Sequence, residues 1–151
     1  MFVATGTTTH QTINNNGFFP AIRTDEFVKT QKLDGVIADD RLLFALTLAI
    51  SQTNMELVSW QIKQEGMGYF NLDDVPSEPI NNISRLVTLY KQAVFSFAKA
   101  SLLEKYRDFD TTALGNKKAE NVENNIDAYR RDARWAISDI QGKQRSVVEL
   151  I

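Results

Sequence analysis

The chain has no cysteine, which excludes disulfides, thiolate metal sites and cysteine nucleophiles and suits a reducing compartment. Its single histidine, His10, lies in a Thr- and Asn-rich stretch with no acidic residue within several positions. A histidine triad or a zinc site needs partners held on a rigid scaffold, so His10 reads as a surface residue. The sequence also lacks a basic excess: 17 Lys and Arg against 19 Asp and Glu leave a formal charge of −2, unlike a typical nucleic-acid binder. The longest nearly apolar run, Leu42 to Ile50, is far shorter than a membrane span. Met1 to Gly17 has neither the basic start nor the apolar centre of a signal peptide, so a soluble, non-secreted protein without a membrane partner is expected. There is no internal repeat. Gly115-Asn116-Lys117-Lys118 lacks the spacing and terminal hydroxyl of a phosphate loop, and no cofactor is expected.

What remains reads as one mainly helical domain, which 151 residues are enough to furnish with a core. Thr5 to Gly17 carries small polar side chains that bury too little to order themselves, and residues 1–17 are expected to form an extended, flexible arm. Phe18-Phe19-Pro20 follows as an anchor, together with Ile22. Asp25 to Lys32 is expected as a short helix with Thr24 as its N-cap. A long helix should open at Asp39 or Asp40 and reach Glu65, about 39 Å at 1.5 Å per residue, ended by Gly66-Met67-Gly68. Its first half is apolar nearly all round. Either the domain wraps it completely or a neighbouring subunit supplies the missing cover.

Tyr69 to Ile80 reads as a loop. A second long helix is expected from Asn81 to Tyr106, with a stripe of Ile83, Leu86, Val87, Tyr90, Val94, Phe97, Ala98, Ser101 and Leu102 at helical spacing. Phe44, Leu48 and Phe95 lie off the main stripes and are expected to meet a neighbouring subunit. Arg107 to Lys118 reads as a loop. The acidic pairs Asp39-Asp40 and Asp73-Asp74 invite a paired-carboxylate or magnesium reading. The first pair instead suits a helix N-terminus and the second a turn before Val75-Pro76. Tyr106-Arg107 with Glu104 and Asp108 suits a helix-end ion-pair cluster.

The last helix is expected over Ala119 to Gln141. Val122, Ile126, Tyr129, Ala133, Ala136, Ile137 and Ile140 recur at three- and four-residue spacing and give it a core face. Arg130, Arg131, Arg134 and Trp135 fall elsewhere on the helix. Arginines around a Trp off the core stripe are a composition that interfaces favour, although Trp135 equally suits covering a second part of the same domain. Gly142 fits a left-handed stop. Lys143, Gln144 and Arg145 then lead into Ser146, Val147, Val148, Glu149, Leu150 and Ile151, a segment too apolar and β-branched for a frayed, solvated end. Basic residues that steer toward an acidic surface, followed by side chains that supply buried area, suit docking on another protein; the alternative is a fold-back onto the chain's own helices.

Tyr129, Arg131, Trp135, Ala136, Ile140, Gln141, Gly142, Lys143, Arg145, Val148 and the terminal Ile151 resemble, in order and spacing, the C-terminal signature of the GPL-type head completion proteins of contractile-tailed bacteriophages. Phe18-Phe19-Pro20, Asn54-Met55-Glu56-Leu57, and Ala98 through Tyr106-Arg107 with Asp110, Gly115 and Lys117-Lys118 agree in the same order. The resemblance runs from Phe18 to Ile151.

The resemblance implies an all-α fold, an antiparallel helical bundle over residues 18–142 with an N-terminal arm and a C-terminal docking tail, 143–151. It implies a structural virion protein and not an enzyme. The subunit would be made in the host cytoplasm and form a ring, dodecameric in related adaptors, beneath the portal vertex. That ring would seal the DNA-filled capsid and receive a tail-side connector or tail terminator protein. Lys143, Arg145, Val147, Val148, Leu150 and Ile151 would dock on the portal protein, and Phe44, Leu48, Phe95, Arg130, Arg134 and Trp135 would lie between subunits. DNA would only pass through the lumen, with which the mildly acidic balance is compatible. The alternative is a small helical DNA-binding phage protein, a packaging-enzyme subunit or regulator. Its nearest recognition helix, Arg130 to Arg134, shares its segment with acidic residues and a core stripe, which disfavours it.

Overall fold

A computed structural model describes residues 11–33, 37–110 and 116–144, with side chains described for 11–33, 37–105 and 125–144. The fold is mainly α-helical. In chain order it has β1 (Thr12–Ile13), β2 (Ile22–Arg23), α1 (Thr24–Thr30), α2 (Asp39–Gly66), a 3-10 turn (Leu72–Asp74), β3 (Pro79–Ile80), β4 (Ile83–Ser84), α3 (Arg85–Asp110) and α4 (Asn116–Gln141).

The start of the chain departs from expectation. Within the proposed arm of residues 1–17, residues 1–10, His10 included, lie outside the described residues, but 11–17 are built into the fold. Thr12 pairs with Arg23 and Ile13 with Ile22 in an antiparallel ladder. The backbone N–H of Thr24 donates to the Gln11 carbonyl, and the Gln11 N–H donates to the Thr24 hydroxyl. Composition misled because Asn side chains here satisfy buried backbone and side-chain partners, offsetting the cost of ordering a polar segment. Thr24 is consequently not an N-cap. Arg23 holds that position without a side-chain cap.

α2 begins where expected, but Ala38 precedes it and neither Asp39 nor Asp40 makes a capping hydrogen bond; both sit in the first turn, where their charge meets the positive end of the helix dipole. It runs to Gly66 and stops within the expected Gly66-Met67-Gly68. Gly68 has φ +94°, its N–H donates to the Glu65 carbonyl, and the Tyr69 N–H donates to the Gln64 carbonyl, a stop that a residue without Cβ adopts most cheaply. Asn71, rather than the Asp pair, makes the following turn: its side chain accepts from the Asp73 N–H.

The second long helix starts four residues later than predicted. Asn81 and Asn82 have φ +54° and +61° and link β3 to β4 as a two-residue hairpin, a conformation that Asn tolerates better than most residues. Ser84 then caps α3, its hydroxyl accepting from the Leu86 N–H. α3 extends to Asp110 and α4 begins at Asn116, so both helices invade the predicted loop, of which only 111–115 remain, outside the described residues. The ion-pair partner of Glu104 is Arg130, at 2.6 Å; the side chains of Tyr106, Arg107 and Asp108 lie outside the described residues.

Among the described residues α3 carries the longest buried run, Ala93 to Ala100, and α4 faces it with Ile126, Ala133, Ala136, Ile137 and Ile140. The Glu104–Arg130 and Phe97–Arg134 contacts show the two helices running in opposite directions. α2 lies across the pair through Leu42, Leu46, Ala49, Ile50 and Leu57, and Phe18, Phe19, Ile22 and Phe27 join the same core. Phe95 also belongs there: it is 4 % exposed, and its ring meets Phe27 edge-on at 5.4 Å. It is therefore a core residue and not a free subunit contact. It lies off the α3 stripe, as expected, but Phe27 of α1 covers that flank.

Candidate interaction surfaces

α2 is apolar on two opposite faces. One belongs to the core. On the other, Phe44, Leu48, Met55, Val58 and Ile62 remain 47 to 72 % exposed, about half a turn from Leu46, Thr53 and Leu57. Phe44 and Leu48 are thus accessible, as their off-stripe positions predicted, and Lys105 Nζ lies 5.3 Å from the Phe44 ring. The domain does not wrap the helix completely. α2 is also apolar and long enough, by composition, to cross a membrane, but its other face is part of the shared core and Asn54 bonds to α3.

On α4, Arg130 pairs with Glu104 across to α3. The Arg134 guanidinium lies 5.8 Å from the Phe97 ring and that of Arg131 lies 4.6 Å from the partly buried Trp135 ring. Cations over aromatic faces are attracted by the ring quadrupole. Arg130 and Arg134 are therefore engaged with α3 in the isolated chain, while Arg131 and Arg134 stay exposed. Lys99, buried, donates to the Lys32 carbonyl and approaches the Tyr129 ring at 5.7 Å.

The end of α4 is closed as Gly142 predicted. Gly142 has φ +69°, its N–H donates to the Asp139 carbonyl, and the Lys143 N–H donates to the Ser138 carbonyl. Gln141 Nε2 reaches the Glu56 carbonyl of α2 at 3.2 Å, which fixes where the chain leaves the core. Lys143 is exposed. Arg145, Val147, Val148, Leu150 and Ile151 lie outside the described residues.

A polar junction escaped the sequence reading. Tyr90 on α3 donates its hydroxyl to Asn54 Oδ1 on α2 at 2.6 Å and accepts from Asn15 Nδ2 at 2.8 Å. Asn15 Nδ2 also donates to the Pro20 carbonyl, and Asn15 Oδ1 accepts from Asn54 Nδ2. Phe19 stacks on the Tyr90 ring at 4.6 Å. Asn16 Oδ1 accepts from the Phe18 and Phe19 N–H groups. Three segments are thus tied at one point. Asn54 follows Ser51, Gln52 and Thr53 in the middle of α2, so nothing in the local sequence set it apart from a solvated polar residue. Burial pushes the Tyr90 hydroxyl far above its ordinary 10.0, so it stays protonated and serves as a structural donor.

The acidic pairs do not converge with other ligands: among the described residues no group of three His, Cys, Asp or Glu side chains could hold a metal ion. Other exposed apolar side chains follow α2 in the chain: Phe70 at 67 % and the hairpin pair Ile80 and Ile83 at 61 and 47 %. The described surface therefore offers apolar faces and cation–aromatic contacts suited to association.

Comparison with known proteins agrees in kind. The model of a family described as "Phage head completion protein (GPL)" matches residues 13–151. The "Head completion/stabilization protein" of Escherichia phage P2 is 38 % identical over 139 residues, covering 92 % of this chain and 82 % of that protein. The "Probable head completion/stabilization protein" of Haemophilus phage HP1 is 28 % identical over 139 residues, covering 92 % of this chain and 91 % of that protein. No solved structure matches.

Proposed function

This chain belongs to the phage head completion protein (GPL) family, and from that premise we propose that it is a connector subunit. It assembles as a ring beneath the portal vertex, seals the DNA-filled capsid and offers the platform for a tail-side connector or tail terminator protein. The observation that carries this reading is the family match that continues to Ile151, beyond the helical stop at Gly142 and through the apolar C-terminal segment. On this reading residues 18–142 act as the helical bundle and 143–151 as a docking tail. Lys143 and Arg145 steer the tail toward an acidic portal surface, and Val147, Val148, Leu150 and Ile151 supply the buried area. Burying three or four such side chains contributes on the order of 5 kcal/mol before ordering costs, an amount repeated around the ring.

Neighbouring subunits meet through Phe44 and Leu48 on one side, with Arg134 and Trp135 as contacts from α4. In a closed ring every interface joins two different surfaces, and DNA only passes through the lumen. The free subunit is made in the host cytoplasm and ends in the virion neck. Deleting Val147 to Ile151 tests the docking role. The expected product is a folded subunit of near-normal melting temperature that no longer binds purified portal rings and is missing from the neck of DNA-filled heads. Loss of the fold on deletion, or undiminished portal binding, refutes the assignment of the tail.

A further inference from the structure

The exposed face of α2 is a regular seam and not a scatter of apolar side chains. Phe44, Leu48, Ser51, Met55, Val58 and Ile62 follow one another at alternating steps of four and three residues, the spacing that keeps a stripe of side chains facing a second helix. All six are exposed, over about 27 Å of helix at 1.5 Å per residue. The same repeat continues outward to Arg41 at one end and Glu65 at the other. Both are also engaged within their own chain; what the seam uses is the sign of their charges.

We propose that this seam pairs with the same seam of a second copy, antiparallel, about a two-fold axis that crosses the seam midway between Ser51 and Met55. That alignment sets Phe44 against Ile62 of the other copy, Leu48 against Val58, and the small Ser51 against the long Met55. It also brings Arg41 opposite Glu65 at both ends. A parallel pairing in register instead sets Arg41 against Arg41 and Glu65 against Glu65, and leaves Ser51 facing Ser51, so charge and volume both select the antiparallel arrangement. A two-fold pair is isologous, using one patch twice, whereas a ring joins unlike patches. The pair is therefore a form of the free protein. If Phe44 and Leu48 also serve the ring, a clause that rests on the proposed function, the pair must open before the ring forms, which keeps unassembled subunits from polymerising away from the head.

Sedimentation equilibrium of the full chain, free of heads, tests the pairing. Across the micromolar range the mass should rise to twice 17.1 kDa. Met55→Glu changes a side chain 72 % exposed in the isolated subunit; it should leave the melting temperature unchanged at concentrations where the parent is monomeric, and weaken self-association by about a hundredfold, because the pair would bury an unpaired charge. Glu65→Arg should weaken it too, and Arg41→Glu combined with Glu65→Arg should restore it. As the chain has no cysteine, Leu48→Cys mixed with Val58→Cys gives a directional readout: the mixed disulfide should form faster than either self-disulfide. A mass of 17.1 kDa throughout, dimers indifferent to Met55→Glu, no rescue by the double charge exchange, or preferential Leu48→Cys self-disulfides each overturn the proposal. Because none of these readouts uses portal or heads, they leave the connector reading to its own test.

Discussion

Replacing Tyr90 by Phe removes one oxygen from the junction that holds the start of the chain on α2 and α3. Two hydrogen bonds disappear, to Asn54 Oδ1 and from Asn15 Nδ2, while the Phe19 stack on the ring is kept. Asn15 retains the Pro20 carbonyl and Asn54 retains Asn15 Oδ1, so the group left without its partner is Asn54 Oδ1. Asn15 and Asn54 are only partly buried, and water recovers part of that loss. We expect a destabilisation of about 1 to 2 kcal/mol, corresponding to a fall of roughly 3 to 6 °C in melting temperature for a chain of this size. Chemical denaturation gives the free energy. Hydrogen exchange should show the loss locally, as faster exchange at Thr12 and Ile13, whose ladder depends on this tether. The same substitution has a pH signature. Because the hydroxyl is raised above its ordinary 10.0 by burial, the folded state holds this proton more tightly than the unfolded chain. Tyr90 therefore leaves stability unaffected below about pH 10 and removes it progressively above. Tyr90→Phe should flatten that alkaline loss. A variant within experimental error of the parent at neutral pH, with unchanged exchange in β1, would refute the argument that this junction anchors the N-terminal segment.

Phe95→Ala should cost about 3 to 5 kcal/mol in denaturant unfolding, because it opens a cavity against Phe27. Phe44→Glu, on a side chain 56 % exposed, should leave unfolding of the dilute, monomeric chain within about 0.5 kcal/mol of the parent; equal losses at the two positions would show that the faces of α2 and α3 have been misassigned. Gly142→Ala should destabilise by about 1 kcal/mol or slightly more, since an added Cβ meets no atom within 4 Å and the penalty comes only from the φ of +69°. A neutral melting curve for that variant would mean that the helix can end another way.

How far the sequence reached differs between elements for physical reasons. Helical periodicity carried α2, α3 and α4, because a stripe at three- and four-residue spacing has one stable use. Gly142 and its left-handed stop were readable for the same local reason, and so was the exposure of Phe44 and Leu48. The order and spacing of the C-terminal residues carried the family. Boundaries failed where a choice between two local structures is nearly balanced. Asn81-Asn82 can start a helix or turn a hairpin, and the pairing of Ile80 with Ile83 settles it.

Contacts between distant segments were beyond the sequence. Phe95 looked like a surface side chain because its cover comes from Phe27, 68 positions earlier in the chain. Residues 11–17 looked unable to order because their hydrogen-bond partners, Tyr90, Asn54 and Thr24, lie on other elements. The partners of Arg130 and Arg134, Glu104 and Phe97, lie on α3, so the spacing within α4 alone does not show that these arginines are engaged. What the sequence determined by itself was the set of helices, their core stripes and the family, since each depends on neighbours along the chain. The tertiary structure decided which apolar faces are covered and which polar groups are satisfied, because burial and hydrogen bonding are properties of two surfaces meeting and a single segment contains only one of them.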